Sequence, residues 1–354
     1  MKLKDFGYNE NIKKLRSEMN LENFDIGRVS AQHKNKYIVK TEKGDIEAEI
    51  TGNLRYSADD SEDYPAVGDW VFLMVYDTSL ALIYKIIPRK SIISRKSVGQ
   101  YGKKQVIATN IDYAIVLQAV DNDFNINRIE RYLTLCYSSN VQPIIVLNKI
   151  DLIDNTKLEK LVNSIRARIK KVPIVTISTK ITGGIEPLKK YLEKGTTYCL
   201  LGSSGVGKST LTNNLFGKEM MLTKEIRQHV EKGKHTTTHR ELIVTNYGIL
   251  IDTPGMKEVG IVDSSEGIHT AFEDIIVLAK QCKFSNCTHT NEVHCAVLEA
   301  IDNNSLDQSI YDNYVKIEKE KVHFESSIAE KRKKDKDFGK MVKQMKYTKK
   351  RTKY

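Results

Sequence analysis

The sequence predicts a multidomain α/β protein with an N-terminal β-barrel of the oligonucleotide/oligosaccharide-binding (OB) type, a domain with a doubly wound sheet, and a C-terminal zinc-binding helical module. Three observations predict this order. Five short apolar runs come first, and strand-like runs then alternate with helical patterns. A cluster of three cysteines and one histidine follows these patterns. A length of 354 residues suits two or three domains.

The domain bounds are set where these patterns change along the chain. Residues 1–24 are predicted to form a helical extension, 25–105 the barrel, 106–264 the doubly wound domain, 265–330 the zinc-binding helical module and 331–354 a basic tail. The extension is expected to pack on the barrel.

The barrel is predicted from short runs that alternate apolar and polar residues between residues 25 and 88. Gly44, Gly52 and the segment 65–68 separate the runs, as turns separate the strands of small barrels. OB-type barrels commonly bind single-stranded nucleic acid, although a small barrel without such a role is the alternative. The runs are Ile26–Val29, Tyr37–Val39, Ile46–Ile50, Trp70–Val75 and Leu80–Ile87.

The doubly wound sheet is predicted from strand-like runs that alternate with helical patterns, followed by a hairpin over 240–252. This alternation is typical of a doubly wound α/β domain. The strands are Ile111–Val120, Gln142–Leu147, Val172–Ile177 and Thr197–Leu201, and the helical patterns are Arg128–Tyr137, Leu158–Lys170 and Ile185–Leu192.

A glycine-rich phosphate loop follows the strand that ends at Leu201. Small residues let backbone N–H groups curl around an anionic phosphate, and an apolar strand before the loop and a helical pattern after it supply the context that such a loop needs. We predict that Lys208 binds the β- and γ-phosphates and that the Ser209 hydroxyl coordinates Mg²⁺. The nucleotide-binding residues of this segment are Gly202, Ser203, Ser204, Gly205, Val206, Gly207, Lys208, Ser209 and Thr210.

Two further segments, each behind an apolar strand, predict a site for the base. The Asp151 carboxylate can accept hydrogen bonds from the N1–H and the exocyclic amine of guanine, a donor pair that adenine lacks. The second segment would contact the base oxygen through its backbone. The predicted ligand is therefore GTP or GDP rather than ATP, and the residues are Asn148, Lys149, Ile150 and Asp151 in the first segment and Ser178, Thr179 and Lys180 in the second.

The segment Asp252-Thr253-Pro254-Gly255 and the polar stretch before it predict the rest of the magnesium site. The Asp252 carboxylate at a strand end can reach the metal through water. In residues 233–239 a threonine hydroxyl would complete the Mg²⁺ shell when the γ-phosphate is present, which makes this stretch a candidate switch. We assign Thr237 to this role and leave the threonines on either side of it open; Gly255 joins the nucleotide-binding set.

The residue after Gly255 is Met256, where a Ras-like GTPase carries the glutamine that orients the attacking water. A thioether cannot orient water, so we predict slow intrinsic hydrolysis and a partner that completes or repositions the site. His235 is our first candidate for the water-positioning group and His239 the second. Together with Lys208 on the phosphates, His235 forms the predicted catalytic set.

Three thiolates and one imidazole in the short segment 282–295 form the ligand set of a closed structural zinc site. His294 is an alternative ligand, and Cys136 and Cys199, which lie in apolar stretches, are expected to be buried thiols. The sequence has neither a signal peptide nor an apolar run of membrane length, which predicts a reducing, cytoplasmic compartment and favours metal over disulfide. The predicted zinc ligands are Cys282, Cys287, His289 and Cys295.

The charge of the chain is concentrated in its C-terminal tail. The whole chain has 56 Lys and Arg against 45 Asp and Glu, a net charge of +11, and residues 331–354 hold 12 basic and 2 acidic residues. A tail of this kind predicts an anchor on a nucleic-acid phosphate backbone. A solvated tail without a partner is the alternative.

The motifs stand in a circularly permuted order, because the base-reading Asn148 segment precedes the phosphate loop and the Asp252 segment comes last. In this order, and in its segment 235–238 and its zinc-ligand spacing, the chain resembles the circularly permuted ribosome small-subunit-dependent GTPase A family of bacteria. Gly68-Asp69 in the barrel and the segment 110–112 also match. The resemblance extends from position 25 to about position 300, and the N-terminal extension and the basic tail fit less closely.

The resemblance implies a late-acting maturation factor of the small (30S) ribosomal subunit. It implies that the barrel and the zinc module grip 16S ribosomal RNA, that the subunit stimulates GTP hydrolysis, and that hydrolysis releases the factor. A monomer is the default expectation. The alternatives are a P-loop ATPase or small-molecule kinase in which the Asn148 motif is accidental, and a zinc-dependent RNA-binding regulator with a vestigial nucleotide site.

Overall fold

The structure is a computed structural model that describes residues 1–33, 36–77, 79–96, 104–215, 217, 240–252 and 265–322. The helices are α1 (Glu10–Glu18), α2 (Gly52–Ser57), α3 (Ile126–Ser138), α4 (Asn155–Arg168), α5 (Glu186–Lys189), α6 (208–215), α7 (Ser265–Ala271), α8 (Glu273–Ala279), α9 (Ala296–Asp302) and α10 (308–322). Short 3₁₀ helices cover Leu3–Phe6 and Ile150–Leu152.

The strands belong to one large sheet and one separate hairpin. They are β1 (Asp25–His33), β2 (Lys36–Thr41), β3 (Gly44–Ile50), β4 (Trp70–Val75), β5 (Leu80–Ile86), β6 (Ile92–Lys96), β7 (Lys104–Thr109), β8 (Tyr113–Ala119), β9 (Gln142–Asn148), β10 (Ile174–Thr176), β11 (Thr197–Leu201), β12 (Glu241–Thr245) and β13 (Gly248–Asp252).

The first five strands close into a barrel. Their order is β1-β2-β3-β5-β4, and β4 pairs back onto β1 between Trp70 and Arg28. Alternate side chains of the strands point inward, where Val29, Val39 and Ala81 have no exposed surface. The five strands overlap the five predicted runs, and the closure confirms the predicted barrel.

The next domain is a twisted sheet with strand order β10-β9-β8-β11-β13-β12. Its first five strands are parallel and β12 is antiparallel to β13. Two apolar cores lie within this domain, one including side chains of α3 and α4 and the other side chains of α5 and α6. This arrangement confirms the predicted doubly wound sheet. The barrel is joined to it edge to edge, because Ala31 of β1 pairs with Glu241 of β12.

The N-terminal residues cover one side of the barrel. Phe6 is buried against Trp70, Phe72 and Ile87, and apolar side chains of α1 pack around this cluster. The Tyr8 ring meets the Trp70 ring edge-on with centroids 5.4 Å apart. The contact agrees with an extension that packs on the barrel.

Helices α7 to α10 form a small module with its own core around Phe272, Val297 and Ile317. The cysteines of the predicted zinc site lie at the border of this core. Within the described ranges, no helix combines the length and the hydropathy that crossing a lipid bilayer would need.

Two elements are absent from the sequence prediction. The hairpin β6–β7 connects the barrel to the parallel sheet, and the predicted domain bound at 105 lies inside β7. Helix α2 begins directly behind the barrel strand β3, where the Thr51 side chain caps it by accepting a hydrogen bond from the Leu54 N–H. We keep the domain bounds as a proposal.

Candidate functional site

The candidate nucleotide site lies at the carboxyl ends of the parallel strands. Strands β8, β9, β10 and β11 all run in the same direction, so the loops that follow them meet at one edge of the sheet. The Asn148 segment follows β9, Ser178 follows β10 and the phosphate loop follows β11. Ligands of open α/β sheets bind at this edge, and the predicted motifs meet there although they are far apart in sequence.

Two glycines of the phosphate loop cannot be replaced without collision. Gly202 has a φ of 153°, and a Cβ there would lie 2.4 Å from the Leu117 carbonyl oxygen. Gly207 has a φ of 100°, and its Cβ would lie 2.4 Å from Asn148 Nδ2. Backbone in this conformation is favourable only for glycine. The loop therefore needs its glycines for close approach to the neighbouring strand and to the base-reading motif.

Asn148 joins the base-reading loops to the phosphate loop. Its buried side chain donates from Nδ2 to the Val206 carbonyl at 2.9 Å and accepts at Oδ1 from the Thr179 N–H at 3.2 Å. An amide side chain is suited to this position because it offers a donor and an acceptor in one plane. The contacts bring together three predicted segments that are far apart in sequence.

The Asp151 carboxylate has one oxygen engaged in a hydrogen bond. The Ser178 hydroxyl donates to Asp151 Oδ1 at 2.5 Å, and Ser178 Oγ accepts from the Lys180 N–H at 3.2 Å. The Asp151 side chain is exposed. The two base-reading segments are therefore held together while the carboxylate stays accessible.

Lys149 has the left-handed backbone conformation, with a φ of 66°, and its ammonium lies 2.8 Å from Asp121 Oδ2. The hydrogen bond from Lys149 lowers the pKa of Asp121. Asp121 lies just behind β8 and was not among the predicted site residues.

Lys208 folds back over the phosphate loop. Its Nζ donates to the Gly202 carbonyl at 2.6 Å and to the Ser203 carbonyl at 2.5 Å. The exposed hydroxyls of Ser209 and Thr210 begin α6 directly behind it. An ammonium group, a ring of backbone N–H groups and hydroxyls at a helix start are the groups that bind a polyphosphate and its Mg²⁺.

Ser203 is held from outside the predicted motifs. Its hydroxyl donates to Asp123 Oδ2 at 2.8 Å and accepts from Arg128 Nη1 at 3.1 Å. Arg128 and Asp123 form an ion pair at 2.6 Å, and the hydrogen bond from Arg128 lowers the pKa of Asp123. The sequence did not predict Asp123 or Arg128 as site residues. They lie near Ser203 because β8 and β11 are adjacent in the sheet, and no local sequence pattern reveals that strand order.

The predicted magnesium and catalytic residues are described only in part. Asp252 is the last residue of β13, which runs parallel to β11 and so ends at the same edge of the sheet as the phosphate loop. The remaining residues of these predictions lie outside the described ranges: His235, Thr237, His239, Gly255 and Met256. The basic tail, 331–354, also lies outside them.

Three cysteines and one histidine of the C-terminal module converge as predicted. The four ligand atoms of Cys282, Cys287, His289 and Cys295 lie within 4.8 Å of one another. His289 Nδ1 lies 3.5 Å from Cys282 Sγ and 3.4 Å from Cys295 Sγ, and the latter two sulfurs are 3.8 Å apart. In a tetrahedron with metal–sulfur bonds of about 2.3 Å, sulfurs lie about 3.8 Å apart. The cluster therefore fits a metal ion.

His289 and not His294 completes this cluster. The His289 backbone has a φ of 58°, and its carbonyl accepts a hydrogen bond of 2.5 Å from the Tyr311 hydroxyl of α10. The His289 side chain is buried, whereas His294 is exposed. Glu292 fixes the turn between them by accepting from the N–H groups of Thr288 and Thr290, and the Thr288 hydrogen bonds lower its pKa to about 2.

The chain is similar to known proteins over most of its length. The model of the family described as RsgA GTPase matches residues 86–262, a range that holds all the predicted nucleotide motifs. The Small ribosomal subunit biogenesis GTPase RsgA 1 of Bacteroides thetaiotaomicron is 37% identical over 344 residues, 96% of each chain. RsgA 2 of Lactiplantibacillus plantarum, also named a small ribosomal subunit biogenesis GTPase, is 40% identical over 83% of each chain.

Two solved structures share the fold. YjeQ from Thermotoga maritima aligns with a TM-score of 0.62 at 30% identity, covering 83% of this chain and 96% of its own. YloQ, described as a circularly permuted GTPase, aligns with a TM-score of 0.61 at 23% identity, covering 88% of this chain and 97% of its own.

These likenesses confirm the permuted order and the resemblance stated from the motifs. The family model covers the segment in which the order is permuted, and relatives align with nearly the whole chain. The chain therefore belongs to the RsgA GTPase family.

Proposed function

We propose that this protein hydrolyses GTP as a late maturation factor of the small (30S) ribosomal subunit, with GTP, GDP and that subunit as its partners. The observation that carries the GTP assignment is Asn148, whose side chain ties the phosphate loop to the Ser178 segment beside the accessible Asp151. The names of the bacterial relatives as small ribosomal subunit biogenesis GTPases support the ribosomal role.

The nucleotide roles follow from the positions of these side chains at the edge of the sheet. Asp151 accepts from N1–H and the amine of guanine, and the segment 178–180 contacts the base oxygen. Lys208 binds the β- and γ-phosphates, and Mg²⁺ is held by Ser209, Thr237 and Asp252. The accessible Asp151 and the convergence of Lys208 and Ser209 on one edge of the sheet support these assignments.

Hydrolysis depends on a water-positioning group, for which His235 is our candidate. Met256 follows Gly255 in the sequence and cannot orient water, so the free protein should hydrolyse GTP slowly. We expect His235→Ala to abolish most of the subunit-stimulated rate, while His239→Ala, the matched control in the same segment, keeps it. Equal stimulated rates in wild type and His235→Ala would remove His235 from the mechanism.

The flanking modules bind 16S ribosomal RNA in this proposal. The closed OB-type barrel, the zinc module and the basic tail supply the surfaces, and the protein acts as a cytoplasmic monomer. Hydrolysis then releases the factor, because the switch segment leads directly into the zinc module in the permuted chain. Equal 30S affinities with GDP and with a non-hydrolysable GTP analogue would contradict this coupling.

The metal of the Cys282 cluster is zinc in this proposal, because a cysteine-rich, closed set of four ligands suits a structural zinc site. Purified protein should contain one zinc per chain by elemental analysis. His289→Ala should lose the metal, and His294→Ala, the matched histidine outside the cluster, should retain it. Loss of zinc in both variants, or in neither, would contradict the ligand assignment.

The first test is GTP hydrolysis by the protein alone, with 30S subunits and with 50S subunits, with ATP as control nucleotide. We expect weak activity alone and strong stimulation by 30S only. No stimulation by either subunit would contradict the ribosomal role and keep the GTPase. A preference for ATP would instead favour a metabolic ATPase or kinase, and unchanged RNA binding and cellular role in Lys208→Ala would favour an RNA-binding regulator.

A further inference from the structure

The second residue of the phosphate loop is fixed by two side chains that belong to none of the nucleotide motifs. Ser203 Oγ donates its one proton to Asp123 Oδ2 and accepts from Arg128 Nη1, and Arg128 and Asp123 pair with each other. We call these three residues the Ser203 triangle. A hydroxyl engaged on both sides has a single rotamer available, so the loop residue that carries it is held in place.

The triangle is itself supported from two directions. Asn125 caps α3 by accepting from the Arg128 N–H, which fixes the first turn of the helix. Gln118 Nε2 donates to the Asp123 carbonyl at 2.9 Å, and the Asp123 N–H donates to Asp121 Oδ1 at 3.1 Å. Asp121 in turn pairs with Lys149 of the base-reading motif. The segment 121–123 therefore contacts both halves of the nucleotide site.

The triangle also acts on the lysine of the phosphate loop. Lys208 Nζ donates to the carbonyl of Ser203, the same residue whose side chain the triangle holds. A shift of Ser203 would move this carbonyl and with it the ammonium group that reaches the phosphates. The Arg128–Asp123 pair is charge-assisted, but the Asp123 side chain is 47% exposed, so water weakens the pair and the restraint also depends on the two hydrogen bonds to the Ser203 hydroxyl.

We propose that Asp123 and Arg128 are positioning residues that hold Ser203, and through it Lys208, in the geometry that binds the phosphates. The proposal rests on the proposed binding of guanine nucleotides at this loop. Because the loop contacts the phosphates before and during hydrolysis, loss of the triangle should weaken nucleotide binding and raise KM. Lys208 belongs to the predicted catalytic set, so kcat should fall as well.

The test is the affinity of the protein alone for fluorescent GDP and for a non-hydrolysable GTP analogue. Arg128→Met and Ser203→Ala should each weaken both nucleotides about tenfold, the effect of losing one charge-assisted contact. Arg128→Lys keeps the charge without the fork of donors and should weaken them about threefold. Arg131→Met is the matched control, because Arg131 lies one turn along α3 and pairs with Glu320, away from the loop.

A double-mutant cycle separates positioning from general stability. If Arg128 acts through Ser203, the variant that combines Arg128→Met with Ser203→Ala should bind GDP and the GTP analogue no more weakly than Ser203→Ala alone. Additive losses, unchanged affinities in Arg128→Met, or an equal loss in Arg131→Met would each overturn the proposal. A wild-type protein that binds no guanine nucleotide would instead overturn the proposed function, so the two failures are distinguishable.

Discussion

The GTPase domain is flanked by two modules that are attached in different ways. The barrel is attached through backbone groups: β1 pairs with β12, and a Cβ on Gly68 would lie 2.2 Å from the Thr109 carbonyl oxygen. The zinc module is attached by close packing of α7 on α3 and, at its other helices, through side chains: Arg168, Arg131 and two lysines of the GTPase domain reach α8 and α10. Backbones packed this closely leave no room for the barrel to shift against the domain. Side-chain pairs, in contrast, can re-form after a module has moved.

The barrel attachment centres on Arg28, a fully buried guanidinium. It donates to the carbonyls of Phe6, Gly68 and Asn110 and to the Thr197 hydroxyl, at 2.6 to 3.1 Å. One side chain therefore connects the N-terminal extension, the barrel and the parallel sheet. Burial lowers the pKa of Arg28 to about 10, so it remains charged at neutral pH.

The zinc-module attachment centres on Glu130 of α3. Arg168 donates to both of its oxygens at 2.8 and 2.7 Å, and Asn313 of α10 donates to Oε2 at 2.6 Å. Helix α7 also lies close to α3, since a Cβ on Gly267 would lie 2.4 Å from the Thr134 carbonyl oxygen. The barrel is therefore a fixed part of the domain. Among the described helices of the zinc module, α7 packs on the GTPase domain at a similarly short backbone distance.

The largest expected effect is that of Arg28→Met. The substitution removes one donor from each of four acceptors, although the Gly68 carbonyl keeps Asn110 Nδ2 as a donor and the Asn110 carbonyl is part-buried. Each buried group left unsatisfied costs about 1 to 3 kcal/mol, so we expect a loss of about 4 kcal/mol in the free energy of unfolding. Urea unfolding followed by the fluorescence of Trp70 measures it. Arg55→Met is the control, because Arg55 is exposed on α2. A loss no larger than that of the control would contradict the view of a fixed barrel.

A smaller effect is expected for Glu130→Ala. The change removes Glu130 as an acceptor for the Arg168 guanidinium and the Asn313 amide, although Asn127 still accepts from both. Breaking a buried ion pair costs about 3 kcal/mol. Protection of α10 amides in hydrogen exchange should fall more than that of the barrel strands. Glu159→Ala, at an exposed position of α4, is the control. Equal loss of protection in barrel and zinc module would mean that the two attachments are not independent.

The same residue gives a pH dependence with a definite sign. Burial raises the pKa of Glu130, although its hydrogen bonds with Arg168 and Asn313 oppose the shift. A carboxyl whose pKa is raised by folding contributes stability that is fully present below its unfolded pKa and is lost as the pH rises through the folded pKa. As the pH rises from the unfolded pKa of Glu130 to its higher folded pKa, wild type should therefore lose stability relative to Glu130→Gln, because the amide does not titrate. Urea unfolding of both proteins across this pH range measures the difference.

The sequence predicts the features of this molecule that depend on residues close together along the chain. The glycine spacing of the phosphate loop and the spacing of Cys282, Cys287, His289 and Cys295 are local, and both predicted sets converge in the described residues. Arg28, Asp123 and Glu130 read as ordinary surface charges in the sequence. Their partners, such as Thr197 for Arg28 and Arg168 for Glu130, lie far along the chain, and only the strand order brings them together.

The smallest expected effect is that of removing Lys170 and Lys171 together. Their ammonium groups lie 2.8 and 2.6 Å from Asp274 and Glu273 of α8, but all four side chains are more than half exposed. Water and salt screen such pairs, so the double change to alanine should move Tm by less than about 2 °C. Lys157→Ala and Lys160→Ala together, on the exposed face of α4, are the control. A larger shift that disappears at high salt would mean that summed charge holds α8, and the attachment of the zinc module would then depend on ionic strength as well as on Glu130.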